Sequence, residues 1–177
     1  MDFVHSIPSL KTLQVSSLYD DIWKELHGRL FRENSLPHLE DLTLGSLEGC
    51  LDFKTLMSLS KNISRLELEA ENDEFRCDNL EQTDLRGLKM LSFDHQIFDM
   101  MQITHIMTEL EDRPEFFVQY SWDLNIEVAE KLGKWLTLPN FEWNMIEVCS
   151  GEEYGRAVQL CTNNCIDLDR ITYSYRN

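Results

Sequence analysis

One short apolar pattern recurs seven times along this chain, and it limits the possible folds more than any single residue does. Leu10-x-x-Leu13-x-Val15 returns as Leu39-x-x-Leu42-x-Leu44, Ile63-x-x-Leu66-x-Leu68 and Leu88-x-x-Leu91-x-Phe93. Larger residues continue it as Phe117-x-x-Tyr120-x-Trp122, Trp143-x-x-Ile146-x-Val148 and Leu168-x-x-Ile171-x-Tyr173. The central residues Leu13, Leu42, Leu66, Leu91, Tyr120, Ile146 and Ile171 are 29, 24, 25, 29, 26 and 25 positions apart. The last two apolar residues of each copy are two apart, so on a strand they point to the same face. One short strand cannot bury that face alone, whereas a stack of such strands builds a continuous core.

The pattern and its period resemble a leucine-rich repeat. The resemblance implies an α/β leucine-rich repeat solenoid of about seven repeats. A curved parallel β-sheet would line the concave side, and helices the convex side. It also implies a single domain over residues 1–177. Return helices are readable between the strands from three- and four-residue apolar spacing. They are expected over 18–31, 51–59, 97–110, 124–136 and 151–160. The interval 72–83 is polar and acidic and predicts an irregular loop or a single turn.

With 177 residues, 42% hydrophobic and 27% charged, the chain has the composition of an ordinary globular domain. Its net charge of −16 argues against nucleic acid, because a phosphate backbone needs basic contacts, and against an anionic membrane surface. A positive partner is compatible with it, and so is a role in solubility. No apolar run approaches the roughly 18 residues of a membrane span. The start, Met-Asp-Phe-Val-His, carries neither a basic leader nor an apolar segment, so a cytoplasmic protein is expected. Five cysteines, Cys50, Cys77, Cys149, Cys161 and Cys165, are an odd number at irregular spacing and predict reduced thiols. The glycosylation sequon Asn62-Ile63-Ser64 includes a core position, Ile63.

Signs of catalysis are missing. The seven glycines are scattered, and His5, His27, His38, His95 and His105 show no zinc-type pairing. Cys161-x-x-x-Cys165 reads as a packed or free thiol pair. No enzyme, no metal and no cofactor are therefore expected.

Binding is expected on the strand residues that the core does not use. The residue after the second apolar strand position reads Ser16, Gly45, Glu69, Asp94, Asp123, Cys149 and Ser174. The residue between the two reads Gln14, Thr43, Glu67, Ser92, Ser121, Glu147 and Thr172. Glu69, Asp94 and Asp123 would then stack as an acidic row beside Glu67. Like charges on adjacent strands cost stability, so such a row hints at a partner. Most late aromatics fall on core positions, whereas Phe116 and Tyr175 lie outside the pattern, as interface anchors do. The candidate partner-binding residues are Glu67, Glu69, Asp94, Asp123, Glu147 and Tyr175.

The strand at 117–122 is followed by a helix bearing Ala129, Leu132 and Leu136. Links of Leu-Pro-x-Leu type occur at Ile7-Pro8-Ser9-Leu10, Leu36-Pro37-His38-Leu39 and Leu138-Pro139-Asn140-Phe141. These features resemble the C-terminal repeats of cytosolic NOD-like receptors. The resemblance implies a piece of a larger innate immune receptor with a sensing and autoinhibitory role. Its partners would be a protein or pathogen-derived ligand on the concave face, and the receptor's own nucleotide-binding domain. The chain departs from the family at the asparagine-ladder position, which reads Leu18, Leu47, Glu71, Gln96, Asn125, Gly151 and Arg176. Only Asn125 matches, so the backbone groups there must find other partners. A substrate-recognition module of an F-box-type ubiquitin ligase and an acidic scaffold for a basic protein such as a histone are the competing readings.

Overall fold

The computed structural model describes residues 9–15, 36–45, 50–69, 76–81, 85–93 and 97–174. The expected helix over 18–31, half of the interval 72–83, Asp94 and Tyr175 lie outside them. Along the described chain the strands are β1 (Thr12–Val15), β2 (Asp41–Gly45), β3 (Cys50–Asp52), β4 (Arg65–Glu69), β5 (Arg76–Asp78) and β6 (Met90–Phe93). They continue as β7 (Phe117–Tyr120), β8 (Leu124–Asn125), β9 (Phe141–Glu142), β10 (Ile146–Val148) and β11 (Ile171–Tyr173). The helices are α1 (Phe53–Met57), α2 (Met100–Asp112), α3 (Ile126–Leu132) and α4 (Gly151–Asn163).

The chain is α/β, and among the described residues all strand pairs are parallel. Six strands form the largest sheet in the order β1-β2-β4-β6-β7-β9. Its register places Leu13, Leu42, Leu66, Leu91, Val118 and Phe141 opposite one another in turn. The other strands form a second, shorter course: β3 pairs with β5, and β8, β10 and β11 make a three-stranded sheet. The Cys77 N–H donates to the Ile97 carbonyl at 2.8 Å, which extends that course beyond β5. After β2, β7 and β9 the chain thus runs a few residues, adds to the second course, and then enters a helix.

Two sequence expectations are corrected by this register. In the fifth copy, Val118 and Tyr120 face the core opposite Leu91 and Phe93, not Tyr120 and Trp122. Ile146 and Ile171 belong to the second course, opposite Leu124, and the main-sheet strand of the sixth copy is β9. The physical reason is that apolar residues occupy 116, 118, 120 and 122 at the period of a strand. Any two-residue shift fits such a run, and the turn after Tyr120 decides against Trp122. A third correction is β5, a strand inside the interval expected to be irregular.

The helices form where local chemistry supports them. Asp99 caps α2 through a capping box: its carboxylate accepts from the Gln102 N–H at 2.8 Å, and Gln102 Oε1 accepts from the Asp99 N–H at 2.9 Å. Ile103, Ile106, Met107 and Leu110 bury one face of that helix. Helix α3 ends at Gly133, whose φ of 46° lies in the left-handed region that glycine adopts without strain. A 3-10 turn over Gly133–Thr137 carries it on to the buried Leu136. Strand and helix residues join in one continuous core, threaded by edge-on or tilted rings at Phe53–Phe98, Phe93–Phe98 and Phe93–Tyr120. Among the described residues, no helix is long and apolar enough to cross a membrane.

Candidate protein-binding face

Because Leu42, Leu66, Leu91 and Val118 point into the core, their strand neighbours point away from the helices. The register makes rows of these outward residues. One row is Gln14–Thr43–Glu67–Ser92–Gln119–Glu142. A second is Thr12–Asp41–Arg65–Met90–Phe117. Gly45 and Glu69 begin a third row. Hydroxyls tie neighbouring strands across this face: Thr43 Oγ1 donates to Glu67 Oε2 at 3.2 Å, and the Ser92 and Ser121 hydroxyl oxygens are 3.0 Å apart. Among the described residues four carboxylates (Asp41, Glu67, Glu69, Glu142) face one guanidinium (Arg65) there, and Met90 and Phe117 form a partly buried apolar pair in register.

The residues singled out from the sequence separate in space. Glu67 and Glu69 lie on this face. Asp123 does not join their row, because Tyr120 stands opposite Phe93 and the row position falls to Ser121. Asp123 sits instead in the turn between β7 and β8 and is exposed. Glu147 belongs to the second course, opposite Asn125 and Thr172. Asp94 and Tyr175 are outside the described residues.

Aromatic expectations also change. Phe116 is fully buried, with the Arg113 guanidinium 4.9 Å from its ring centroid, so it is not an exposed anchor. Trp122, placed in the core by the repeat pattern, is 57% exposed. Tyr173 is 46% exposed and stacks on Tyr154 with centroids 5.4 Å apart. Glu142 and the Met90–Phe117 pair were missed by the pattern. The Leu138-Pro139-Asn140-Phe141 link was the available signal, since a strand follows directly from it.

Side chains that cross from one repeat to the next hold the face in register. Asn62 Nδ2 donates to the Pro37 carbonyl at 2.7 Å. Arg113 donates to the Leu85 and Leu88 carbonyls at 2.8 and 2.6 Å. Asn140 Nδ2 lies 2.8 Å from the Phe116 carbonyl and within 3.3 Å of those of Leu110 and Arg113. Arg170 donates to the Trp143 and Asn144 carbonyls and lies over the Trp143 ring at 4.6 Å. These donors act in the turns before the strands. Asn125, the one residue that matched the asparagine ladder, instead caps α3 by accepting from the Val128 N–H at 2.9 Å.

Ion pairs repeat with the same spacing: Lys11–Glu40, Lys54–Glu81, Lys134–Glu111 and Arg156–Glu130, at 2.6–2.8 Å. Hydrogen bonds from Lys134 and from the Trp135 indole hold the Glu111 carboxyl below the usual carboxylate range. Lys11 does the same for Glu40, and Arg156 for Glu130. A shallow open groove of about 480 Å³ lies beside the last of these pairs, lined in part by Glu152, Gln159 and Asn163. It is on the helix side, away from the sheet face. Burial pushes the Cys161 thiol up, and Cys149 and Cys165 are exposed. Among the described residues, no group of three or more histidine, cysteine or acidic side chains is placed to hold a metal.

The chain matches no protein-family model, no curated protein and no solved structure.

Proposed function

We propose that this chain is a leucine-rich-repeat solenoid that works by binding rather than by catalysis, with the outward sheet face as its binding surface. The observation that carries the reading is the succession of parallel main-sheet strands in sequence order, with Leu13, Leu42, Leu66, Leu91, Val118 and Phe141 in register at intervals of 23–29 residues. A solenoid stacks repeats of this length so that each touches only its neighbours, and it presents the free sheet face to a partner. The inter-repeat hydrogen bonds and ion pairs, also 23–30 residues apart, support the same arrangement.

We propose further that the parent protein is a cytosolic receptor of the NOD-like type, in which this region senses a protein or pathogen-derived ligand and restrains its nucleotide-binding domain. Two features support this. The helix bearing Ala129 and Leu132 buries both, and Leu136 follows in the 3-10 turn, also buried. The Leu-Pro links at 36–39 and 138–141 close alike, with the Leu39 N–H on the Leu36 carbonyl and the Phe141 N–H on that of Leu138.

A photo-crosslinking residue at Gln119, on the sheet face, and another at Lys131, exposed on α3, test the binding surface in the full-length protein. A crosslink to a partner or to another domain of the same protein from position 119, with none from 131, is the predicted outcome. Crosslinks from 131 alone would place the binding surface on the helices and overturn the reading.

A further inference from the structure

We infer that the sheet face takes a basic polypeptide segment with a large apolar side chain at its centre. This inference rests on the proposed use of that face and names the chemistry of its partner. Met90 and Phe117 stand directly opposite each other on neighbouring strands and are only partly buried on a face that is otherwise polar. Outward apolar pairs in a sheet leave area that a partner side chain can cover, and anchors of this kind carry most of the energy of an interface. Methionine adapts its shape to the side chain that meets it, while phenylalanine supplies a flat, rigid surface.

The charges around the pair select the flanking residues. Glu67 is one strand from Ser92 in the central row, and Glu142 is one strand from Gln119 in the same row, so carboxylates stand on both sides of the apolar pair. Glu69 adds a third, exposed carboxylate on the Glu67 strand. Among the described residues the one cation on the face, Arg65, is next to Asp41 on the neighbouring strand, which leaves the other three acids with no oppositely charged residue opposite them in register, Glu67 accepting only from the Thr43 hydroxyl. Gln119 between them is uncharged, partly exposed and contributes a hydrogen-bonding group, whereas Ser92 is buried and pairs with Ser121. An acidic segment would meet three carboxylates, and a purely apolar one would bury them without partners. Lysine or arginine on both sides of a leucine- or phenylalanine-sized residue satisfies the whole face, and long-range attraction to a chain of net charge −16 speeds its approach.

The test uses the purified chain and a fluorescent peptide with two leucines flanked by paired lysines and arginines, followed by anisotropy at low salt. Two further peptides carry glycines in place of the leucines, or glutamates in place of the basic residues. The neutralised variant Glu67→Gln/Glu69→Gln/Glu142→Gln is compared with Asp112→Asn/Glu127→Gln/Glu152→Gln, which removes the same charge from the helix side. The expected results are binding of the first peptide, at least tenfold weaker binding of both others, a tenfold loss in the sheet-face variant and less than a twofold change in the helix-side variant. Met90→Ala/Phe117→Ala is expected to weaken the leucine peptide without affecting the glycine one. Equal losses in the two charge variants would reduce the effect to general attraction and overturn the inference, as would no binding by the unmodified chain. If position 119 crosslinks in the full-length protein while the peptide fails, the partner chemistry is wrong and the binding face stands.

Discussion

The Asn140 side-chain amide donates to the Phe116 carbonyl at 2.8 Å, joining the turn before β9 to the turn before β7. Two more carbonyls, of Leu110 and Arg113, lie within 3.3 Å of the same nitrogen. One side chain thus serves backbone acceptors left over where α2 ends and β7 begins. Asn140→Ala leaves them unmatched in a part-buried site and is expected to destabilise the fold by about 2 kcal/mol. For a chain of this size that lowers the Tm by roughly 4–8 °C. Asn62→Ala, which removes a single exposed contact to Pro37, should cost less; thermal unfolding of both variants checks the order.

Arg113 works as a planar fork between the Leu85 and Leu88 carbonyls, above the Phe116 ring. Lysine keeps the charge but has neither the fork nor the flat surface. Arg113→Lys is predicted to lose about 1–3 kcal/mol, measured by urea unfolding. A neutral result would mean that the charge alone, through Glu109 and Glu115, holds this turn.

Trp122 and Trp143 should report opposite environments. Trp122→Phe is expected to remove emission that iodide quenches readily and to leave the Tm within about 1 °C, since an exposed side chain adds little to stability. Trp143 is buried, donates from its indole to the Leu136 carbonyl at 2.9 Å and carries Arg170 on its ring, so Trp143→Phe should lower the Tm measurably.

The ion pairs between repeats contribute to the pH response. Glu111, Glu40 and Glu130 have folded pKa values below the ordinary 4.5, chiefly through hydrogen bonds from Lys134, Lys11 and Arg156. A carboxyl whose pKa is lowered on folding contributes stability that is fully present above its unfolded pKa and is lost as the pH falls through the folded value. Protonating the many other carboxylates relieves repulsion in the net −16 chain and acts in the opposite direction. The comparison therefore has to be differential: between pH 6 and pH 3, Glu111→Gln should lose less stability than the unmodified chain. An identical loss would mean that Glu111 is not held by Lys134 and Trp135 in solution.

Much of the main sheet was legible in the residues themselves. Leu13, Leu42, Leu66 and Leu91 were aligned correctly because each begins a clean alternation of apolar and polar residues. The helices over 53–57, 100–112, 126–132 and 151–163 fall within or close to the intervals read from apolar spacing. Alignment failed at 116–122, where four apolar residues share one parity and a two-residue shift leaves the pattern intact. The second course was hidden because its strands are two or three residues long, and Leu124 or Cys77 alone carries no period. The acidic row changed with the register: a shift of two residues moved Asp123 off the face, and β9, in place of the strand at Ile146–Val148, brought Glu142 onto it.

Everything proposed for the sheet face depends on which residues share it, and disulfide trapping reads that register directly. In a background with the exposed Cys149 and Cys165 changed to serine, Gln119→Cys/Glu142→Cys places thiols on directly opposed residues of β7 and β9. Neighbouring strands lie about 4.8 Å apart, within the Cα separation that a disulfide spans. Mild oxidation followed by peptide mapping is predicted to show a 119–142 crosslink, and none in a Ser121→Cys/Glu147→Cys variant. The reverse outcome, a 121–147 crosslink without the 119–142 one, would contradict the register and the binding face built on it.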